Sequence, residues 1–197
     1  NLLFEKSWEV LKLFSKDPKL IDAKLEAIGI LHTWDQKLGF HPHIHYIVPA
    51  GGVDAKGNWK NSKQNGNFLF NVENLSSKFS ARFAKKLRLL KRQGKIKKYV
   101  PRDLIKKPWV VYAKPAFCSP ESVVEYLGRY THRVAISNAR ILKVTDHEVT
   151  FSWLDRKNGH LKRTETLPGH MFLERSVEAI VPPRFQRIRH LGFLRCR

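Results

Sequence analysis

The sequence predicts an α+β fold built on antiparallel strands, and three features lead there. Two strand-like stretches, residues 24–34 and 40–49, flank the short polar run Asp35-Gln36-Lys37-Leu38-Gly39. A connection that short joins neighbouring strands as an antiparallel hairpin. Further on, residues 140–144, 148–154 and 161–167 are separated by Asp146-His147 and by Asp155-Arg156-Lys157-Asn158-Gly159, the turn spacing of a C-terminal β-meander. Around these lie stretches whose apolar residues recur at helical spacing, as in helices packed by one face.

The elements follow in order. Leu3, Phe4, Trp8, Leu11 and Phe14 mark a helix over 2–15, stopped by Asp17-Pro18. The hairpin comes next, with Ile28, Ile30, His32 and Trp34 on one face of its first strand. Gly51-Gly52 and Lys56-Gly57-Asn58 read as turns, with a weak strand near Trp59. Residues 61–67 form a polar loop, and Phe68-Leu69-Phe70 a short strand or helix lead-in. A long helix spans 72–93, with Leu75, Phe79, Phe83, Leu87 and Leu90 as its apolar stripe and Gly94 as its stop. Residues 98–103 and 106–108 read as connecting loops, and 109–113 as a strand ended by Pro115. Ser119 suits an N-cap, Pro120 the first helical position and Glu121 the first turn of a helix running to about Arg133. After the meander, Pro168-Gly169 opens a helix over 171–180, ended by Pro182-Pro183. The tail interleaves Arg184, Arg187, Arg189, Arg195 and Arg197 with Phe185, Ile188, Leu191 and Phe193, suiting either a nucleic-acid surface or an edge strand.

Composition narrows the function. The 197 residues are 42% hydrophobic, which marks a globular chain, and the apolar runs are too short to span a membrane. Thirty-seven Lys and Arg against 17 Asp and Glu give a net charge of +20. A charge of that size points to a polyanion, with nucleic acid ahead of an anionic membrane surface. Cys118 and Cys196 form no zinc pair or disulfide framework, which fits a reducing cytoplasm. No glycine-rich phosphate loop is present, so no nucleotide cofactor is expected. The chain opens at Asn1 and its one methionine is Met171, so we expect an internal piece of a longer protein.

Three groups of residues carry candidate chemistry. His41, His43 and His45 share one face of the second hairpin strand by its two-residue period, while Ile44, Tyr46 and Val48 take the other. Imidazoles at this spacing grip a divalent cation, which can polarise a phosphodiester. The hairpin sets His32 across from His43 or His45, so His32 is the preferred third ligand and His41 the alternative. Asp35 and Gln36 are weaker oxygen donors. On the helix after Ser119, Tyr126 and Tyr130 are four apart and share a face, as do Arg129 and Arg133 beside them. Beside a metal site in a basic protein, such a pair suggests phenolic nucleophiles that attack a phosphodiester and keep the DNA end as an ester. The third group is the cationic face of the long helix, with Lys78, Arg82, Lys85 and Lys86 among its members. No acidic residue lies between Glu73 and Asp103. Salt-bridge-laced helix faces mix signs and this one does not, so phosphate contact is expected.

His41-Pro42-His43-Ile44-His45-Tyr46-Ile47-Val48, followed by Tyr126-Leu127-Gly128-Arg129-Tyr130-Thr131-His132-Arg133, resembles the HUH endonuclease superfamily. The nearest likeness is to the two-tyrosine transposases of insertion sequences that move by rolling circle. It covers the chain from about Leu25 to the arginine-rich end. Histidines ahead of tyrosines is the order of replication initiators and these transposases, whereas conjugative relaxases carry the tyrosine first. The resemblance implies an HUH nuclease-like domain across 1–197, with a central antiparallel sheet, flanking helices and the metal on the sheet face. It implies Mg2+ or Mn2+ held by His43, His45 and a third ligand, and single-stranded DNA at transposon ends as partner. It also implies tyrosine attack giving a 5′-phosphotyrosyl link and a free 3′-OH, on the bacterial nucleoid. A histidine about eleven residues before the motif occurs in relaxases, which supports His32. Full-length members usually carry a cysteine-rich zinc module ahead of this domain, absent from this sequence. Competing readings are a plasmid or phage replication initiator, a nucleic-acid-binding module that does not cut, and a zinc hydrolase.

Overall fold

The computed structural model describes residues 2–63, 68–101, 103–106, 109–131, 134–156 and 158–193, with the side chains of 129–131 outside that description. It is an α+β protein with antiparallel sheets. The chain divides into two compact units. The first comprises Asn1–Gly29, Tyr46–Ser122 and His190–Arg197; the second comprises Ile30–His45 and Val123–Arg189. Helix α1 is Leu2–Ser15, strand β1 Ala27–Trp34, β2 Phe40–Ile47, β3 Gly51–Val53 and β4 Trp59–Asn61. Then come α2 (Val72–Arg92), α3 (Pro120–Thr131), β5 (Ile141–Val144), β6 (Glu148–Asp155), β7 (Leu161–Pro168), α4 (Gly169–Glu178) and β8 (Ile188–Leu191). One sheet has the order β2-β1-β8, a second pairs β3 with β4, and a third is the meander β5-β6-β7.

In the first unit, Ile21, Ala23, Leu25 and Phe70 are buried, and Trp8, Leu11 and Phe14 of α1 pack on them, as does Leu75 of α2. The hydroxyls of Ser7 and Tyr46 lie 2.7 Å apart, fastening α1 to the strand residue that follows the histidines. Glu9 of α1 accepts from Lys6 at 2.6 Å and also pairs with Arg82 of α2. The predicted stripe of α2 is only partly buried, while Ser80 and Ala84 are its fully buried residues. Asn71 caps α2, its side chain accepting from the Asn74 N–H at 2.9 Å.

Gly51 and Gly52, read from sequence as a turn, are buried residues of β3. A Cβ on Gly52 would come within 2.5 Å of the Lys24 carbonyl oxygen, and one on Gly51 within 2.3 Å of the Lys60 oxygen. Glycine here serves close backbone approach, and the bridge between Lys24 and Val53 uses that space. The expected strand at 109–113 is absent. Trp109 rests on Phe79 and Phe83 of α2, at ring distances of 5.2 and 4.9 Å, but among the described residues no strand pairs with the segment. A run of β-formers is not a strand without a ladder partner.

In the second unit, β6 and β7 pair from Glu148↔Pro168 to Asp155↔Leu161. The Thr150 and Thr166 hydroxyls meet across them at 2.8 Å. Leu38, Phe151 and Leu167 form the buried core, with Ala135, Ile136 and Phe172 packed against it. The meander is where the sequence predicts it, while α4 begins two residues earlier than expected. The tail takes the strand alternative: Ile188–Leu191 is β8, and the Leu31 N–H donates to the Arg187 carbonyl at 2.8 Å. Among the described residues, no helix is long and apolar enough to cross a membrane.

Candidate metal and nucleophile site

The site lies within the second unit and is built on the β1–β2 hairpin. The Asp35 carboxylate accepts from the N–H groups of Lys37 and Gly39, both at 2.8 Å. That is an Asx-type turn written by a single residue. The left-handed conformation falls on Leu38, at φ 64°, rather than on Gly39. Leu38 is fully buried against Phe151 and Leu167, so core packing holds a backbone conformation that leucine otherwise avoids. Neighbouring contacts fix the same turn. Arg140 donates to the carbonyls of Gln36 and Ser152, Arg175 donates to the Lys37 carbonyl at 3.1 Å, and the Lys37 ammonium lies 3.2 Å from Glu165 and 4.3 Å from the Trp153 ring centroid. Asp35 and Gln36, the weaker oxygen-donor candidates, therefore hold the turn: the Asp35 carboxylate organises it and the Gln36 carbonyl anchors it.

This rigid hairpin brings three imidazoles together. Each of His32, His43 and His45 offers one nitrogen, and the three nitrogens lie within 4.8 Å of one another. Ring centroids are 5.5 Å apart for His32–His43, 4.8 Å for His32–His45 and 4.9 Å for His43–His45. Donor nitrogens about 2.1 Å from a shared ion are at most about 4.2 Å apart, so small side-chain rotations suffice for this triad to hold a metal. His32 is buried at 3% exposure and stacks on Trp34 at 5.2 Å, which restricts its ring. His41 is outside the cluster. Its carbonyl accepts from His43 Nδ1 at 2.7 Å. A carbonyl can only accept, so Nδ1 carries the proton and the lone pair sits on Nε2, as in the usual support of a metal-binding histidine.

Tyr126 of α3 reaches this cluster, its Oη 3.3 Å from His45 Nδ1. Helix α3 starts where Ser119 and Ser122 cap one another, the Ser122 N–H donating to the Ser119 hydroxyl at 3.3 Å. The Glu121 carboxyl is held below its ordinary value by its own backbone N–H and by the Ser119 hydroxyl. Tyr130 follows four residues on in the same helix, but its side chain, like that of Arg129, is outside the description, and Arg133 is outside the described residues altogether.

A cavity of about 230 Å³ opens on the cluster, lined by His32, His43 and His45 together with Arg140 and Arg156. Arg140 is committed to backbone carbonyls. Arg156 is exposed, and among the described residues it makes no ion pair or hydrogen bond. Sequence reading missed Arg156 because it registered only as part of a hairpin turn. Of the cationic residues on α2, Lys78 and Lys85 are exposed and Lys86 is half-buried, whereas Arg82 is engaged by Glu9.

Fold and site together define an α+β protein whose three-histidine cluster can hold a metal ion, with a tyrosine hydroxyl beside it. A family profile described as "Y2_Tnp: Putative transposase" matches residues 27–197, and the chain belongs to that family. It is 37% identical over 208 residues to "Putative transposase y4qJ" of Sinorhizobium fredii (strain NBRC 101917 / NGR234), covering 98% of this chain and 52% of that protein. It is 29% identical over 215 residues to "Transposase for insertion sequence element IS801" of Pseudomonas savastanoi pv. phaseolicola, covering 98% of this chain and 50% of that one. The chain spans about half the length of these curated relatives. No solved structure matches it.

Proposed function

We propose that this chain is the DNA-cleaving part of a transposase, one that binds and nicks single-stranded DNA by tyrosine transesterification and joins strands in rolling-circle transposition. The observation that carries the reading is Tyr126 Oη at 3.3 Å from His45, a member of the three-histidine cluster. His32, His43 and His45 would hold Mg2+ or Mn2+. Three imidazole donors suit Mn2+ better, because Mg2+ prefers oxygen ligands and keeps its waters. When bound there, the cation would supply Lewis-acid polarisation of the scissile phosphate.

Tyr126 Oη attacks the phosphorus and the P–O3′ bond breaks. The 5′ end is kept as a phosphotyrosyl ester and a 3′-OH is released. One proton leaves the phenol and one arrives on O3′. One phosphodiester is exchanged for another, so the step needs no nucleotide hydrolysis, in keeping with a chain that has no glycine-rich phosphate loop. Tyr130 accepts a second strand while the first end stays covalently held. The guanidinium of Arg156 holds a phosphate at the cavity. Arg129 and Arg133, on and after α3, contact DNA phosphates, and so, on the first unit, do Lys78, Lys85 and Lys86 of α2.

The test is nicking of a labelled single-stranded oligonucleotide from a transposon end with Mn2+ or Mg2+, comparing wild type, Tyr126→Phe, Tyr130→Phe, the double variant and His43→Ala. A metal-dependent covalent protein–DNA adduct, lost in the double variant and in His43→Ala, is expected. An adduct that persists in the double tyrosine variant overturns the reading.

A further inference from the structure

We propose that the segment between α2 and α3 is a base-stacking platform for single-stranded nucleic acid, made of residues that take no part in the histidine cavity. The segment has the composition of a strand at 109–113 but no ladder partner among the described residues, and several of its side chains are exposed. Tyr112 is 79% exposed, Tyr99 78% and Val110 95%, with Phe117 also exposed. Tyr99 and Tyr112 are the two most exposed aromatic side chains among the described residues.

The segment is nonetheless held in place. The Trp109 carbonyl accepts from the Ser76 hydroxyl at 2.5 Å, and its indole N–H donates to the Leu104 carbonyl at 2.9 Å. With Trp109 seated on Phe79 and Phe83, the residues beside it are presented outward. Near its start, the Lys97 carbonyl accepts from Lys91 of α2 at 2.8 Å.

Charge decides the occupant. Lys97, Lys98, Lys106 and Lys114 are exposed along the segment, and Asp103 is the one acidic residue between Glu73 and Glu121. A protein partner's surface mixes signs and would match this mostly cationic stretch poorly, whereas a polyanion with accessible flat rings matches both the lysines and the tyrosines. Duplex DNA keeps its base faces stacked inside the helix. A single strand offers them, and aromatic side chains among cations are how such strands are held without sequence preference. This inference rests on the proposed DNA-cleaving function and adds how the chain selects single strands over duplex.

The experiment measures binding of the full chain to a labelled 20-nucleotide thymidine oligomer and to a 20-base-pair duplex across a salt series. The variants are Tyr99→Ala/Tyr112→Ala, Tyr99→Phe/Tyr112→Phe and Lys97→Ala/Lys98→Ala. Stacking is salt-independent and phosphate contact is not. The tyrosine-to-alanine pair is expected to weaken single-strand binding about ten-fold or more, with an unchanged salt slope and unchanged duplex binding. The phenylalanine pair is expected to retain wild-type affinity, and the lysine pair to flatten the slope for both ligands. Equal losses for single strand and duplex, or single-strand binding that is unmoved in the alanine pair, overturns the platform. Nicking by the wild type on the same footing keeps the two readings apart. An adduct with unmoved binding in the alanine pair sinks only the platform, while absence of an adduct with stacking intact sinks only the cleavage chemistry.

Discussion

His41 and His43 look alike in the sequence, yet the structure gives them different work. The His43 ring belongs to the cluster of three, while His41 lends it a backbone carbonyl. Removing the His41 ring leaves that carbonyl in place. His41→Ala is therefore expected to keep Mn2+ affinity within a few-fold, whereas His43→Ala loses a ligand and at least about a hundred-fold, beyond the ten- to hundred-fold cost of losing a supporting contact. Titration calorimetry with Mn2+ checks both, and equal losses would reverse the assignment. The alternation of His43 and His45 was legible because strand period is local. The hairpin also favoured His32 over His41, and the structure adds the ring distances that bring His32 to His43 and His45.

At the scale of elements, the hairpin and the helix pair make separate predictions. Leu38 is the side chain through which the β1–β2 turn enters the core of the second unit. Leu38→Ala is expected to cost about 2–4 kcal/mol in denaturant unfolding and to loosen the turn that carries the histidines. Since alanine is no more at ease at φ 64° than leucine, no relief of strain offsets the lost packing. In the first unit, Glu9 joins α1 to α2. Its carboxyl is held below the ordinary value, chiefly by its hydrogen bond from Lys6 and further by Arg82, against the opposing pull of burial. A depressed carboxyl stabilises the fold above its unfolded value of about 4.3, and that contribution disappears as pH falls through the folded value. Thermal unfolding from pH 6 to pH 3 should show wild type losing stability over a range where Glu9→Gln, which has nothing to titrate there, loses less. Parallel pH profiles would remove Glu9 from the account. Trp-Val-Val-Tyr has every local mark of a strand, and only the lack of a partner denies it.

For the whole molecule, the excess of 20 positive charges is the dominant long-range property. If Lys78, Lys85, Lys97, Lys98 and Lys114, all exposed, each meet a phosphate, log K for a single strand falls against log salt with a slope of about −3 to −4. Between 50 and 200 mM salt that is about a hundred-fold in affinity, readable by fluorescence anisotropy. A slope near zero would mean that the charge is not used on nucleic acid. Arg82 is left out of this sum because Glu9 already engages it, a pairing no helical wheel of α2 alone discloses.

The sequence by itself determined the α+β class, the hairpin, the meander, the histidine alternation, the placing of Tyr126 and Tyr130 on one helix and the net charge of +20. Each of these follows from periodicity, turn chemistry or summed charge, which act within a few residues or do not depend on arrangement at all. Tertiary structure decided the rest: that the rings of His32, His43 and His45 close to within metal-binding reach, that the Tyr126 hydroxyl lies beside His45, that Arg156 lines the cavity, that Gly51 and Gly52 are buried in a strand, and that Tyr99 and Tyr112 are left facing water. Those outcomes turn on which distant segments pack together, and burial and pairing energies between residues far apart in the chain leave no local mark in the sequence.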